Sequence, residues 1–399
     1  MRVGVYIGDG PPELGGGFTF VEEVLAQLRA CAARTRHEFV VLTTQTAPDR
    51  SGDLEVITVP TRPTFTLRAQ RKLGRSVDQL FNRPTPPIGP NPAAERLLKA
   101  SGLDLIWYVQ PWASFTLEIP YIVTVWDLQH RLQPFFPEVS AGNAFEARDA
   151  MFTPLLRRAT LVVVGTEVGS EEVQRFFGVA RERILTLPHP TPSFVLAAAE
   201  QAQVPRLARA PADPYLFYPA QFWPHKNHIN LLEALRILRE REGIPFSLAL
   251  SGSDKGNAAF VREAAKRLGV ADAVAMLGFV SRDELVSLYQ HAFALAYVTF
   301  FGPENLPPLE AFALGCPVVA SDVPGAREQL ADAALRVDGR KPEEIAAAVM
   351  RLHADPAARA ALIERGRARA RRFTGADFVA GVVAWLDDFA LVRRSWPSG

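Results

Sequence analysis

Short apolar runs alternate with stretches whose apolar residues recur three and four apart, and the alternation continues along most of the chain. RVGVYIG, EFVVLTT, LDLIWYV, YIVTVWD and TLVVVGT read as strands in the first half, and YLFYPA, FSLALSG, VAMLGF, FALAYVT, PVVASD and ALRVD in the second. Between them lie helical patterns, beginning with Val21, Val24, Leu25 and Leu28 on one face and continuing near residues 227–240, 257–268 and after Ser281. Ser281 and Glu284 spell a capping box at that last start. Strand and helix in alternation predict an α/β protein with parallel sheets built from βαβ units, doubly wound in the second half. Its ligand crevice should lie beyond the C-terminal ends of the strands. From Val195 to Pro214 the chain turns to Ala, Gln, Arg and Pro without a strong period, which reads as a connector. The expected domains are therefore 1–205 and 206–375. The amphipathic tail FVAGVVAWLDDFALV has no strand of its own domain to cover, so residues 376–399 are expected to cross back to the first domain.

Composition narrows the class. A chain of 399 residues exceeds a typical single core, and 48% of it is apolar. No apolar run approaches the ~18 residues that span a bilayer, and the N-terminus starts a strand without a charged leader. A soluble cytoplasmic protein is the expectation. Cys31 and Cys316 cannot build a disulfide framework and lack metal-ligand spacing. A net charge of +1, with no zinc-finger, RNP-like or helix-turn-helix signature, argues against a nucleic-acid partner. The Ala/Arg bias near residues 357–372 fits a solvated helix face.

The densest chemistry lies in TFFGPENLPPLEAFALGCPVVASDVPGARE, residues 299–328: a loop, a proline-started helix carrying Glu310, a strand and a glycine-opened turn. Pro307 and Pro308 suit a first helical turn, where their missing N–H groups cost nothing. The amides of Glu304, Asn305 and Leu306 are then expected to meet an anion such as the diphosphate of a nucleotide sugar. Glu310, near the mouth, would accept hydrogen bonds from ribose hydroxyls; the alternative is an ordinary helix start with a surface glutamate. In FYPAQFWPHKNH, Lys226 occupies a loop at the end of a strand, where a departing diphosphate needs a cation. Only six of the 44 basic residues are lysine, so a lysine there hints at a demand for a compact ammonium. His225 and His228 stand three apart without acidic or cysteine partners, and no metal site is expected.

In YIVTVWDLQHRLQPFF, Asp127 and His130 follow a first-half strand and could orient or deprotonate an acceptor hydroxyl. The other reading is that Asp127 caps the following turn and His130 packs beside Phe135. Gly15, Gly16 and Gly17 precede the first helix and let backbone approach a ligand, although the spacing is not the dinucleotide fingerprint. In FTLRAQRKLGRSVDQLF, Arg68, Arg71, Lys72 and Arg75 interleave with Phe65, Leu67, Leu73 and Leu80. That stretch suits either an anionic membrane surface or a solvated helix.

Taken together, QFWPHKNH, FFGPENLPPLEAFALGCPVVASDVPGAREQ and VWDLQHR resemble the family 4 retaining glycosyltransferases, the glycosyl transferases group 1. The resemblance implies the GT-B fold, two facing Rossmann-like domains with an interdomain cleft. It also implies transfer of a hexose or deoxyhexose, mannose-like or rhamnose-like, from a nucleotide-diphosphate sugar to a glycan or lipid-linked acceptor, with no cofactor or metal. On that pattern Lys226 holds the diphosphate, Glu310 holds the ribose, Gly15 to Gly17 approach the donor phosphate, and Phe279 and Val280 lie near the base. Three positions depart from the pattern. Gly302 stands where a glutamate is common, with Glu304 nearby as a substitute; Gln221 replaces an arginine five residues before the lysine; Trp126 replaces a histidine before Asp127. The expected catalytic set is Lys226, Asp127, His130 and Glu304, and the expected location is the cytoplasm, with peripheral contact at the inner face of the cell membrane. The departures keep a second reading open, a non-catalytic nucleotide-sugar-binding scaffold. Sheet architecture alone suggests a third, a nicotinamide-dependent enzyme.

Overall fold

The computed structural model describes residues 1–8, 15–44, 52–60, 91–110 and 118–397. The basic, apolar stretch from Phe65 to Leu80 lies outside the described residues. The chain divides into two compact units, one formed by Met1–Pro11, Val21–Leu187 and Ala376–Gly399, the other by Pro12–Phe20 and Pro188–Gly375.

Among the described residues the first unit contains a parallel sheet of seven strands: β1 (Arg2–Tyr6), β2 (Glu38–Thr43), β3 (Val56–Thr58), β4 (Leu105–Tyr108), β5 (Tyr121–Val125), β6 (Leu161–Val164) and β7 (Ile184–Thr186). Their order is β3-β2-β1-β4-β5-β6-β7, so the winding reverses between β1 and β4. The second unit holds six parallel strands: β8 (Tyr215–Pro219), β9 (Ser247–Ser251), β10 (Val274–Gly278), β11 (Ala294–Tyr297), β12 (Val318–Ser321) and β13 (Ala334–Val337), in the order β10-β9-β8-β11-β12-β13. Strands such as β8 are buried on both faces, with Tyr215, Leu216, Phe217 and Tyr218 wholly enclosed, as parallel sheets covered by helices require. The expected capping box is present: Ser281 Oγ accepts from Glu284 N, and Glu284 Oε2 accepts from Ser281 N.

The passage from first to second unit falls at Leu187–Pro188, ahead of the connector expected over Val195–Pro214. Ser193–Ala199 is helical. The polar residues that follow strap the chain onto the helix Arg282–His291. Val204 N donates to Gln290 Oε1, Leu207 N to Ser287 Oγ, and the Arg209 guanidinium reaches Glu284 Oε1 at 2.7 Å. Composition without a period thus marked a segment whose partners are side chains rather than a sheet.

The helix Gly375–Arg393 carries the tail into the core of the first unit. Phe378, Val382 and Leu386 are fully buried, and the Phe378 ring stacks on Trp107. Asp387 binds Arg36 and His37, and Arg393 binds Asp104 at 3.0 Å with both side chains largely enclosed. The same Asp104 accepts from Arg2 N, so one carboxylate joins the start of β1 to the last turn of this helix.

Candidate functional site

In the second unit the winding reverses between β8 and β11, and the crevice beyond their C-terminal ends is the switch point at which doubly wound sheets bind ligands. Lys226 follows β8 at the end of a short 3₁₀ turn, Pro224–Lys226. Its Nζ donates to Tyr297 Oη at 3.2 Å, at the last residue of β11, and lies 5.5 Å from the centre of that ring. The turn is fixed by the next residue. Asn227 is buried in the left-handed region (φ 57°), and its Nδ2 donates to Val298 O and Gly339 O at 2.7 and 2.6 Å. Asparagine tolerates that backbone conformation better than other side-chain-bearing residues and supplies the donor that the two carbonyls need. His225 O accepts from Phe300 N and Thr299 Oγ1, which stitches the Lys226 turn to the loop after β11.

That loop leads into the helix Leu306–Ala313. Tyr297 Oη donates to Asn305 Oδ1 at 3.0 Å, and Asn305 Nδ2 donates to Gly302 O. Gly302 sits at φ +127°, where a Cβ would come within 2.7 Å of the Asn305 amide group, so a side chain here, such as the glutamate common in the resembled family, would be strained. Gly325, which opens the next helix, faces Pro303 O so closely that a Cβ would collide with it. The expected cradle needs one correction. The Asn305 amide does not face outward: it donates to Gln329 Oε1 at 3.0 Å, while Gln329 Nε2 donates back to Asn305 O.

Both carboxylates of the segment differ from expectation. Glu310 is not at the mouth; it is 6% exposed, and Tyr289 Oη donates to its Oε2 at 2.7 Å. Burial pushes its carboxyl up to about 7, against the lowering pull of the tyrosine. Glu304, expected as a substitute catalytic carboxylate, turns inward, its side chain 3% exposed. Its Oε1 accepts from His189 N at 2.8 Å, and its Oε2 lies 3.7 Å from His189 Nε2. Burial pushes Glu304 up to about 8 and His189 down to about 4.

Other predicted residues do gather here. Gly15 to Phe20 group with the second unit; a Cβ on Gly16 would touch the Leu306 side chain, and one on Gly15 the Gln221 amide. Gly15 alone takes a positive φ, while Gly16 and Gly17 form the first turn of the helix Gly16–Cys31. Gln221 accepts from Trp223 Nε1 and donates to Ser253 Oγ, inside a pair of loops joined by Ala220 N to Ser251 O and Phe222 N to Ser253 O. Phe279 is half exposed after β10 and Val280 partly buried beside it. His228 is a packing residue, its ring stacked on Phe222. Among the described residues no group of three or more His, Cys, Asp and Glu is arranged to hold a metal ion.

In the first unit, Asp127 caps the next turn by accepting from Gln129 N at 2.9 Å. His130 does not enter a crevice. It is fully buried, stacked on Phe152 and edge-on to Phe145, while Phe135 is 71% exposed. Burial brings its imidazole down to about 4, so the enclosed ring is neutral near pH 7 and a weak base. Sequence reasoning missed Tyr297, Tyr289, Gln329 and His189, and also Glu172, which burial and the nearby Asp127 charge push up to about 7. Tyr297 had a signal, a tyrosine ending an apolar strand; the others had none.

Comparison with known proteins places this geometry. The family described as glycosyl transferases group 1 matches residues 200–369, and the glycosyl transferase 4-like domain matches residues 20–190. The chain is 27% identical over 221 residues to the O-antigen chain mannosyltransferase B of Escherichia coli, covering 55% of this chain and 58% of that protein. It is 28% identical over 247 residues to the D-inositol 3-phosphate glycosyltransferase of Acidothermus cellulolyticus, covering 59% and 55%. The aligned regions thus span little more than half the length of these curated relatives. Among solved structures, Anabaena HepE in complex with UDP and glucose superposes with a TM-score of 0.68 at 16% identity over 97% of this chain and all of that one. WaaG, a glycosyltransferase involved in lipopolysaccharide biosynthesis, gives 0.68 at 17% over 96% and 99%. These likenesses show the GT-B fold. With both halves matched by its family models and its motifs standing at the switch point of the second sheet, the chain belongs to the glycosyl transferases group 1.

Proposed function

We propose that this protein is a retaining glycosyltransferase that moves a hexose or deoxyhexose from a nucleoside-diphosphate sugar to a hydroxyl of a glycan or lipid-linked acceptor. The observation that carries the reading is the Lys226 ammonium held by Tyr297 at the switch point, beside the start of the helix Leu306–Ala313. As the bond between the anomeric carbon and the diphosphate oxygen breaks, negative charge grows on the leaving group, and a fixed cation and a helix N-terminus stabilise it. The acceptor oxygen forms the new bond to the anomeric carbon and gives up its proton to the departing diphosphate oxygen, so the products are the glycoside and a nucleoside diphosphate. Lys226 and the dipole of the helix Leu306–Ala313 supply the charge stabilisation without a metal ion. The names of the matched proteins, an O-antigen chain mannosyltransferase and an inositol-phosphate glycosyltransferase, support a hexose donor and a polyhydroxylated acceptor. An acceptor on a lipid carrier would bring the protein to the inner face of the membrane.

A second reading, a nucleotide-sugar binder without turnover, is favoured by one observation: Gly302 offers no carboxylate and the substitute Glu304 is bonded internally. One experiment separates them. Thermal shift with UDP, GDP, ADP and their hexose conjugates identifies the base, and release of the nucleoside diphosphate in the presence of EDTA and an acceptor series follows. Binding with acceptor-dependent release supports transfer; binding without release against every acceptor supports the binder; no binding removes both.

A further inference from the structure

Glu304 lies in the loop that carries Asn305, yet its carboxylate faces His189 instead of the crevice. Enclosing a carboxyl group is costly unless its hydrogen bonds are met inside, so its internal partner has a defined role. That partner is a backbone N–H in an unusual place. His189 is the second residue after Leu187, the last of the first unit before the chain passes into the second. Its ring lies 4.8 Å from Phe20, and two residues on, Thr191 N donates to Phe373 O at 3.1 Å, just before the return passage at Gly375–Ala376. The stretch Pro188–Thr191 therefore joins two of the passages of the chain, those at Leu187–Pro188 and Gly375–Ala376, and Glu304 holds that stretch. From the other side, direct contacts run from Lys226 Nζ to Tyr297 Oη, from Tyr297 Oη to Asn305 Oδ1, and through one peptide bond to Glu304.

We propose that Glu304 is a positioning residue that fastens the passage segment Pro188–Thr191 to the Gly302–Leu306 loop, so that the two move as one piece and occupancy of the loop is felt where the chain changes units. The part concerning occupancy rests on the reading that this loop binds a nucleoside-diphosphate sugar. Glu304 then touches neither donor nor acceptor. Its role needs an acceptor oxygen for the His189 N–H, which a glutamine supplies and an alanine does not.

Amide hydrogen exchange on the full-length parent, Glu304→Gln, Glu304→Ala and His189→Ala tests this, since exchange reads the opening of individual segments. Without ligand, the parent, Glu304→Gln and His189→Ala, which all retain the N–H and an acceptor, should protect the His189 amide. Glu304→Ala should exchange it about tenfold faster or more, the loss of one buried hydrogen bond, and the Gly302–Leu306 loop should loosen with it. Unchanged exchange at His189 in Glu304→Ala, or loosening of His189 without the loop, overturns the proposal. With UDP, GDP or ADP added, the parent and Glu304→Gln should gain protection in both segments together, and Glu304→Ala in the loop alone. Protection confined to the loop in the parent overturns the coupling. Glu304→Gln that keeps both protections but loses turnover also overturns it, because the carboxylate would then act directly. If no nucleotide protects the loop or Lys226, the donor reading fails, while the ligand-free comparison still decides whether Glu304 fastens the two segments.

Discussion

Lys226 and Tyr297 meet at 3.2 Å across seventy-one positions of sequence, the lysine leaving β8 and the tyrosine ending β11. The phenol holds the ammonium on one side and donates to Asn305 on the other, so the cation, the strand end and the loop before the helix Leu306–Ala313 share one hydrogen-bond chain.

Replacing Lys226 by Ala should lower kcat by about a hundredfold to a thousandfold, the range for loss of one preorganised charge-stabilising donor. Lys226→Arg should recover only part, since a planar guanidinium cannot take the place of a compact ammonium on the Tyr297 hydroxyl. Initial rates of nucleoside-diphosphate release on variants with parental circular dichroism measure both. Parental turnover in Lys226→Ala would remove the assignment.

The Asn227 side chain closes two buried carbonyls, Val298 O and Gly339 O, from a backbone conformation that most side chains disfavour. Asn227→Ala should cost about 2 to 4 kcal/mol, and Asn227→Gly less because the backbone penalty disappears while the lost bonds remain. Urea unfolding compares them; equal losses in the two variants would mean that the backbone conformation contributes nothing.

Glu310 gives a pH signature. Its folded value of about 7 stands above the ordinary 4.5, so between those values the native state holds a proton that the unfolded chain has lost. Its contribution to stability is therefore full below about 4.5 and declines as pH rises towards 7, by up to about 1.4 kcal/mol per unit. Glu310→Gln should abolish that slope, so that parent and variant diverge between pH 5 and pH 8 in urea unfolding. Parallel curves would contradict the buried acid.

His130 has the opposite sign. Its folded value of about 4 lies below the ordinary 6.5, so stability is full above about 6.5 and is lost as pH falls towards 4. His130→Phe should flatten that acid limb and leave transfer unchanged, because the ring is enclosed against Phe152. Loss of turnover in a stably folded His130→Phe would restore the histidine to the acceptor site.

Much of the architecture could be read from the chain because parallel sheets write themselves locally. Runs such as YLFYPA and FALAYVT are apolar throughout, the Ser281–Glu284 pair announces a helix start, and the paired prolines announce another. The site was less legible because a polar residue in a loop shows its chemistry but not the side to which it turns. Glu304 reads as a solvent-facing acid, yet its partner His189 stands 115 positions away. Gln329 reads as a helix-surface amide, yet it occupies the donor of Asn305, which a helix N-terminus would otherwise present. His130 looked available beside Asp127, but the four-residue helix Gln129–Leu132 turns it inward onto Phe152.

The return of the helix Gly375–Arg393 to the first unit has a practical meaning for taking the protein apart. The last residues of the chain complete the hydrophobic layer over Trp107 and clasp Asp104 at the opening strand. A single cut near Pro188 therefore yields an N-terminal fragment with a bare face and a C-terminal fragment trailing a greasy, homeless helix. Rejoining the tail directly to Leu187 in a rearranged gene keeps the first half's core whole, while a second half cut at Pro188 and Gly375 still lacks the segment Gly15–Phe20 that groups with it.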